Sequence, residues 1–213
     1  MSSRDHILKQ LRRAQQPFTD VAPIKERRKV VNLSDTSMAG LQARFITEAE
    51  KLHCHVHEVT HDAEALDQLL ALVGDASPVL MWDDAHLPFP IAQVLRDNGI
   101  EIAPSNSAQA TIGITGISVA LAGTGSLVLS SGQGRARSTS LLPDQHIALV
   151  RADQLIADFE TWIAQERENG NPAFTASSNT VIISGPSKTA DIAQELIEGA
   201  HGPRRIDVIL IAT

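Results

Sequence analysis

The sequence predicts an α/β fold with a Rossmann-like parallel or mixed sheet covered by helices. From residue 37 onward, amphipathic helical patterns alternate with short apolar runs, which is typical of a parallel sheet with helices on both faces. Hydrophobic residues make up 43% of the chain and charged residues 20%, as in ordinary globular proteins. At 213 residues, the chain is long enough for one sizeable core and a small appendage.

The appendage is predicted to be residues 1–36, an N-terminal helix followed by a connector, and residues 37–213 are predicted to form a single α/β domain. The helix is expected over residues 3–14, because apolar side chains recur there on one face. The connector carries the cluster Lys25-Glu-Arg-Arg-Lys29, which we interpret as a solvated surface. The functional alternative is a docking arm for an acidic partner.

The next part of the chain alternates regularly between helices and strands. Helices are expected over 38–52, 63–73 and 90–98, and strands over 53–60, 78–82 and 99–103. After Ala110 the rhythm changes to short β-rich segments separated by Gly, Ser and Pro turns. These segments are 117–121, 125–130 and 146–150, and a helix over 153–166 follows them.

The closing unit is predicted to be a strand at 180–183, a helix at 188–199 and a strand at 206–211. The polar turn Ser184-Gly-Pro-Ser-Lys-Thr-Ala-Asp-Ile192 would then lie at the start of a helix. Backbone N–H groups and the positive end of the helix dipole favour an anion at such a place. The simpler alternative is a well-capped loop, with Ser187 or Thr189 as the cap.

Two further segments supply polar groups for the same candidate site. The turn Gly123-Thr-Gly-Ser126 enters a strand rather than a helix, so it is not a dinucleotide fingerprint. It is either a tight turn or a place of close approach to a ligand. Arg135 and Arg137 carry planar guanidinium groups suited to carboxylate or phosphate, and His146 is a further candidate. The candidate ligand-binding residues are Thr124, Gly125, Ser126, Arg135, Arg137, Gly185, Ser187, Lys188 and Thr189.

Composition excludes several classes of function. The net charge of −7 argues against nucleic-acid binding, which needs a basic surface. No run of about 18 apolar residues is present, so no membrane span is expected. The polar N-terminus does not resemble a secretory signal, and the chain is expected to be cytoplasmic.

Cysteine and histidine usage bounds the metal chemistry. Cys54 is the only cysteine, so the chain forms no internal disulfide and supplies no iron–sulfur cluster by itself. We expect Cys54 to be a buried small hydrophobe. His53, His55 and His57 alternate, but on a strand they span about 13 Å at about 3.3 Å per residue. Three donors spread so far apart rarely bind one ion, and no metal site is predicted.

Three blocks of the sequence resemble the LUD (lactate-utilisation) domain family. They are Gly113 to Ser130, Ser140 to Val150 with its Leu-Leu-Pro-Asp-Gln-His core, and Ser184 to Leu210 with its Gly-Pro-Ser-Lys-Thr-Ala-Asp-Ile and His-Gly-Pro-Arg-Arg segments. Residues 1–100 are similar only in general layout. The resemblance implies a fold shared with CoA-transferases and ribose-5-phosphate isomerases.

The resemblance also implies a function and its partners. It implies a subunit of a bacterial system that oxidises L-lactate to pyruvate together with two iron–sulfur lactate-utilisation proteins, which would hold the cofactors. This chain would bind a small carboxylate or phosphate ligand. Family members commonly carry an acidic residue where this chain has Gly123, so a catalytic carboxylate is missing from that loop. The alternatives are a stand-alone isomerase or transferase for sugar phosphates or CoA esters, and a non-catalytic assembly subunit.

Overall fold

The computed structural model describes residues 3–14, 31, 33–190, 196–199 and 201–212. The chain divides into two units, residues 1–30 and residues 31–213. Of the first unit, the structure describes the helix α1, Ser3–Ala14, which coincides with the predicted helix and buries none of its side chains. The connector predicted after it lies largely outside the described residues.

The second unit alternates helices and strands over its first half and is richer in strands after that. Its helices are α2 (Met38–Lys51), α3 (Asp62–Val73), α4 (Ala92–Asp97), α5 (Phe159–Glu168) and α6 (Pro172–Thr175). Its strands are β1 (His55–Val59), β2 (Val79–Met81), β3 (Ile112–Thr115), β4 (Val119–Leu121), β5 (Ser126–Ser131), β6 (Gln145–Arg151), β7 (Leu155–Ile156), β8 (Asn179–Ile183), β9 (Lys188–Ala190), β10 (Leu196–Glu198) and β11 (Arg205–Ile211).

The strands form two main sheets and a hairpin. The larger sheet is parallel and five-stranded, with the order β1-β11-β6-β3-β2. The smaller sheet has the order β7-β4-β5-β8, and its β5 runs antiparallel to both β4 and β8. Strands β9 and β10 pair with each other as an antiparallel hairpin. This architecture confirms the predicted α/β fold with a parallel central sheet flanked by helices.

Apolar side chains from both faces of the parallel sheet build the core. On one face, Leu69 of α3 and Leu95 of α4 pack over Ile114 and Ile147 of the central strands. The other face is covered by α2 and by the smaller sheet. Strands β3, β6 and β11 are therefore buried on both faces, which explains their continuous apolar sequences.

Local signals explain why the predicted helices and strands of residues 37–98 are largely confirmed. Ser37 is the N-cap of α2, and its side chain accepts a hydrogen bond from the Gly40 N–H at 3.1 Å. The apolar residues Leu41, Phe45 and Ala49 recur at helical spacing and are all buried. The strand predicted over 99–103 is reduced to a single bridge between Ile102 and Val79.

Strand β3, which lies between β6 and β2, was not predicted, because a glycine interrupts its apolar run. A Cβ atom at Gly113 would overlap the Thr139 carbonyl oxygen, which packs directly onto the strand. The glycine is therefore needed for space, and it does not mark a turn.

The helix predicted over 153–166 begins too early. Residues Ala152–Gln154 form a 3₁₀ turn, β7 follows, and α5 starts only after Asp158. The Asp158 carboxylate accepts hydrogen bonds from the N–H of Thr161 at 2.7 Å and from its hydroxyl at 2.6 Å. This cap sets the start of the helix.

The helix predicted over 188–199 is wrong. The described residues of that segment form the hairpin of β9 and β10, and residues 191–195 lie outside the described part of the chain. The Ser187 N–H donates to the Pro203 carbonyl at 2.9 Å, and the Gly199 N–H donates to the Ser187 carbonyl at 2.8 Å. These long-range bonds fix an extended backbone, so tertiary pairing overrides the helical pattern.

The two strands predicted for the closing unit are confirmed, but they lie in different sheets. Strand β8 joins the smaller sheet, where it runs antiparallel to β5, while β11 lies between β1 and β6 in the larger sheet. Among the described residues, no helix is long and apolar enough to cross a lipid bilayer.

Candidate functional site

The turn after β8 lies against the end of α2 rather than at the start of a helix. Gly185 has a φ of 89°, and a Cβ atom there would overlap the Leu52 carbonyl oxygen. Because no helix begins in the described residues 187–190, the helix dipole proposed for an anion is absent there. Gly185 and Ser187 line a small pocket of about 210 Å³. Ser140, His201 and Gly202 also line this pocket.

The glycine-rich turn and the turn after β8 do come together. Ser126 Oγ lies 2.9 Å from Thr124 Oγ1 and 2.8 Å from Ser184 Oγ. Ser126 is buried, whereas Thr124 and Ser184 are exposed. The three hydroxyls form a chain of hydrogen bonds that ties β5 to the end of β8.

The surroundings of Gly125 bear on the two alternatives for this turn, a tight turn or a close approach to a ligand. Its φ is 65°, and a Cβ atom would overlap the backbone nitrogen of Ala49 in α2. The close approach is therefore to the backbone of α2. Gly123 is also packed, since a Cβ atom there would lie 2.8 Å from Val31 Cγ1 and 3.0 Å from the Ala157 carbonyl oxygen.

Lys188 is exposed, and its charge acts on the thiol of Cys54. Cys54 is buried, as predicted. Burial raises the pKa of Cys54 to about 11, although the Lys188 charge and the Gly185 N–H favour the thiolate. The thiol is therefore protonated at neutral pH and is a poor nucleophile there.

A cleft of about 580 Å³ opens at the amino ends of β1 and β11. It is lined by His53, His55 and His57 together with Cys54, Glu50, Val56, Pro186 and Arg204. The histidines differ in their contacts, because only His57 among these three described residues contacts the buried carboxylate of Asp207. Within the described ranges, no three His, Cys, Asp or Glu side chains are grouped so that they could hold a metal ion.

Asp207 is a buried carboxylate that sequence patterns did not single out. It accepts hydrogen bonds from Arg205 at 2.7 and 2.9 Å and from Gln145 at 2.8 Å, and His57 Nε2 lies 2.9 Å from its Oδ1. Burial by itself raises the pKa of Asp207, but hydrogen bonds from Arg205, His57 and Gln145 outweigh it and hold this pKa below its usual value. The residue is ionised at neutral pH. Its position after Arg204-Arg205, at the start of an apolar strand, was the available sequence signal.

His146 is not part of an accessible pocket, contrary to the role considered from the sequence. It is fully buried in β6, with Nε2 2.8 Å from Thr115 Oγ1. Burial lowers the pKa of His146 to about 4, so the ring is neutral at physiological pH. Its Nδ1 atom has no hydrogen-bond partner among the described residues.

The two loop arginines have different surroundings. Arg137 is exposed and opens the 3₁₀ helix Arg137–Ser140. Arg135 is half-buried, packs its guanidinium against Gly132, and lines a pocket of about 220 Å³. None of residues 184–189 lines that pocket. Arg135 and the turn after β8 therefore do not share this pocket, and the convergence of Arg135, Arg137 and Lys188 on one turn stays a prediction.

Another cleft lies at the carboxyl end of β2, where ligands often bind in open parallel sheets. It has a volume of about 690 Å³ and includes Trp82, Asp83, Asp84, Arg96 and Ser105. Asp84 Oδ1 already accepts the N–H groups of Ile91 and Ala92 at 2.8 and 3.1 Å, so it caps the start of α4. The sequence signal was the polar segment that directly follows a buried strand.

The fold and the clefts together define an α/β protein with a cleft at each end of its parallel sheet. Residues 97–211 match the LUD domain family. The chain is 35% identical to lactate utilization protein C of Deinococcus radiodurans, covering 70% of this chain and 69% of the relative. It is 30% identical to the proteins of the same name from Halalkalibacterium halodurans, covering 77% and 76%, and Macrococcus caseolyticus, covering 83% and 82%. The chain belongs to the LUD domain family.

A solved structure shares the fold. The crystal structure of a DUF162 family protein from Deinococcus radiodurans superposes with a TM-score of 0.61 at 22% identity, covering 83% of this chain and 99% of that one. At this identity the similarity supports the fold, and the likeness to CoA-transferases stays a prediction.

Proposed function

We propose that this chain is a component of a bacterial L-lactate utilisation system, in which L-lactate is oxidised to pyruvate. The observation that carries the proposal is the similarity to several proteins called lactate utilization protein C, over 69–82% of their lengths. The similarity extends beyond the matched domain into the first half of this chain, as the coverage of up to 83% requires.

The electron-transfer cofactors belong, in this proposal, to two iron–sulfur partner proteins. The lone Cys54 supports this division of labour, since a cluster needs several Cys or His ligands. Cys54 is also buried beside the turn after β8, and its thiol is protonated at neutral pH, whereas a cluster is held by thiolates. The chain would therefore bind the organic ligand and present it to redox centres on its partners.

The ligand is proposed to be a small anion, anchored by one residue of the predicted set, Arg135. The structure divides that set: Thr124, Gly125 and Gly185 are engaged with neighbouring protein groups, whereas Arg135 has unused hydrogen-bonding capacity. Arg135 is therefore the strongest anchor for a carboxylate or phosphate. A stand-alone isomerase or transferase has no comparable support, because Gly123 provides no carboxylate for acid–base chemistry.

Genetic complementation tests the proposed function. In a bacterium whose own lactate utilization protein C gene has been deleted, expression of this chain should restore growth on L-lactate as the carbon source. Affinity purification from those cells should recover two further proteins with iron, acid-labile sulfide and visible absorbance. A chain that is expressed and folded but restores no growth and recovers no iron–sulfur protein would contradict the proposal.

A further inference from the structure

The pocket around Arg135 holds a cation whose hydrogen-bonding capacity is not used. The Arg135 Nε atom is buried and has no hydrogen-bond partner among the described residues. A buried donor without an acceptor is costly, so such groups in native proteins generally meet water or a ligand. Arg137, two residues further on, is exposed and faces no such requirement.

A carboxylate lies in the same pocket without pairing with this arginine. Glu166 of α5 lines the pocket, and its Oε2 accepts the Ala173 N–H at 2.8 Å. No ion pair joins Glu166 to Arg135 in the described part of the chain, although both border a volume of only about 220 Å³. Both charged residues therefore line one pocket without being paired with each other.

The size and the remaining lining fit a short polar molecule. Pockets for drug-sized ligands measure roughly 300–1,000 Å³, so this one suits a molecule of a few heavy atoms. Three serines, Ser118, Ser130 and Ser177, also line it. Ser177 Oγ donates to the Ala173 carbonyl, and Ser130 Oγ lies 3.5 Å from Thr180 Oγ1.

We infer that this pocket binds a short 2-hydroxycarboxylate, with the ligand carboxylate on Arg135 and the 2-hydroxyl group donating to Glu166. The inference rests on the proposed function and deepens it, because it names the groups that would select lactate. An arginine fork matches a carboxylate in geometry and charge. Glu166 accepts a hydroxyl donor but repels the carbonyl oxygen of a 2-oxo acid, so lactate is favoured over pyruvate.

Calorimetric titration of the full chain tests this assignment. L-lactate, pyruvate, acetate and inorganic phosphate are each titrated into the wild-type protein and into two variants of one loop, Arg135→Gln and Arg137→Gln. We expect L-lactate to bind most tightly to the wild type. Arg135→Gln should weaken its binding by about tenfold to a hundredfold, as expected for loss of a charged hydrogen bond. Arg137→Gln should leave the affinity unchanged.

Two additional variants separate ligand binding from folding. Ala176 is exposed at the pocket, so Ala176→Leu should obstruct the pocket and weaken lactate binding while the unfolding temperature stays the same. Glu166→Gln keeps an acceptor for the Ala173 N–H and should reduce the preference for lactate over pyruvate. These variants keep the test decisive if Arg135→Gln fails to fold.

Several outcomes would overturn the inference. They are equal lactate affinities for wild type and Arg135→Gln, equal loss of affinity in both arginine variants, tighter binding of phosphate than of lactate, and a folded wild type that binds none of the four molecules. Each outcome is distinguishable from failure of the proposed function. Growth on lactate and recovery of iron–sulfur partners are measured separately and do not depend on where the ligand binds.

Discussion

The two sheets of this protein share one layer of core side chains but differ in how the chain builds them. The parallel sheet is covered by α3 and α4 on one face and by α2 and the smaller sheet on the other. The smaller sheet has a modest second core around Leu121, Val128 and Trp162, and its edge strand β8 is only half-buried. The difference teaches that burial on two faces makes a strand more costly to disturb.

The largest expected effect on stability comes from adding a side-chain methyl group to a tightly packed position in the parallel sheet. Gly113→Ala places a methyl group where the Thr139 carbonyl lies, so β3 or the 3₁₀ helix must move. We expect the free energy of unfolding to fall by about 3 kcal/mol or more, as for severe overpacking. Urea unfolding followed by circular dichroism measures this change.

Gly170→Ala is the matched control for this substitution. Gly170 follows α5, has a φ of 83°, and has no heavy atom within 4 Å of a Cβ position. Only backbone strain of about 1–2 kcal/mol is expected from its positive φ. If Gly113→Ala lowers the free energy of unfolding no more than Gly170→Ala does, then β3 is not tightly packed against Thr139.

The next largest effect concerns the buried carboxylate between β1, β6 and β11. Asp207→Asn leaves Arg205, His57 and Gln145 facing an amide instead of a carboxylate. We expect the free energy of unfolding to fall by about 3 kcal/mol. Asp144→Asn is the control, because Asp144 is 73% exposed and lies 3.9 Å from Arg204. It should change stability by less than about 1 kcal/mol.

The pH dependence of the Asp207 contribution follows from the direction of its pKa shift. The folded-state pKa lies below that of the unfolded chain, so the stabilisation is complete above the unfolded pKa of about 4. It is lost as the pH falls through the lower folded pKa. The difference in stability between wild type and Asp207→Asn should therefore shrink in acid, and a constant difference would contradict the network.

The third effect is a pH dependence of stability caused by His146, whose imidazole ring is buried in the parallel sheet. His146 has a pKa of about 4 in the folded protein, against about 6.5 in an unfolded chain. The unfolded state therefore binds more protons between these values, and stability falls as the pH drops from about 6.5 to 4. The full contribution is about 3 kcal/mol.

His146→Gln should flatten this pH dependence, because glutamine does not titrate. Urea unfolding between pH 4 and 7 compares the slopes of wild type, His146→Gln and the control His55→Gln, which changes an exposed residue. Equal slopes in all three proteins would mean that the buried ring is charged in the native state or remains solvated there.

How much of the fold the sequence predicted depends on the order in which the chain enters the two sheets. Between residues 37 and 98, helices α2 and α3 both pack against β1, which lies between them in the sequence, so the hydrophobic period and the capping residues were sufficient to predict these elements. After β3 the chain alternates between sheets: β4 and β5 lie in the smaller one, β6 returns to the larger one, and β8 and β11 are again separated. Local periodicity carries no information about which sheet a strand joins.

The candidate site was harder to predict for the same reason. The helical pattern after Ser187 is locally consistent, but backbone bonds from Ser187 and Gly199 to distant or paired segments select a hairpin. Arg135 was identified from its chemistry, whereas Glu166, which lines the same pocket, comes from α5, 31 residues further along the chain. Pairings of this kind depend on tertiary packing, which no spacing in the sequence encodes.

The smallest effect tests the smaller sheet through the cap of α5. Asp158→Ala removes the acceptor for the Thr161 N–H and hydroxyl, and the cost expected for an N-cap is about 1–2 kcal/mol. Asp158→Asn is the control, because asparagine caps a helix nearly as well and should recover most of the loss. Thermal and urea unfolding of both variants measure the two values. If Asp158→Ala costs as much as Gly113→Ala, the smaller sheet and its helices contribute to stability as strongly as the parallel sheet, and the contrast between the two layers is lost.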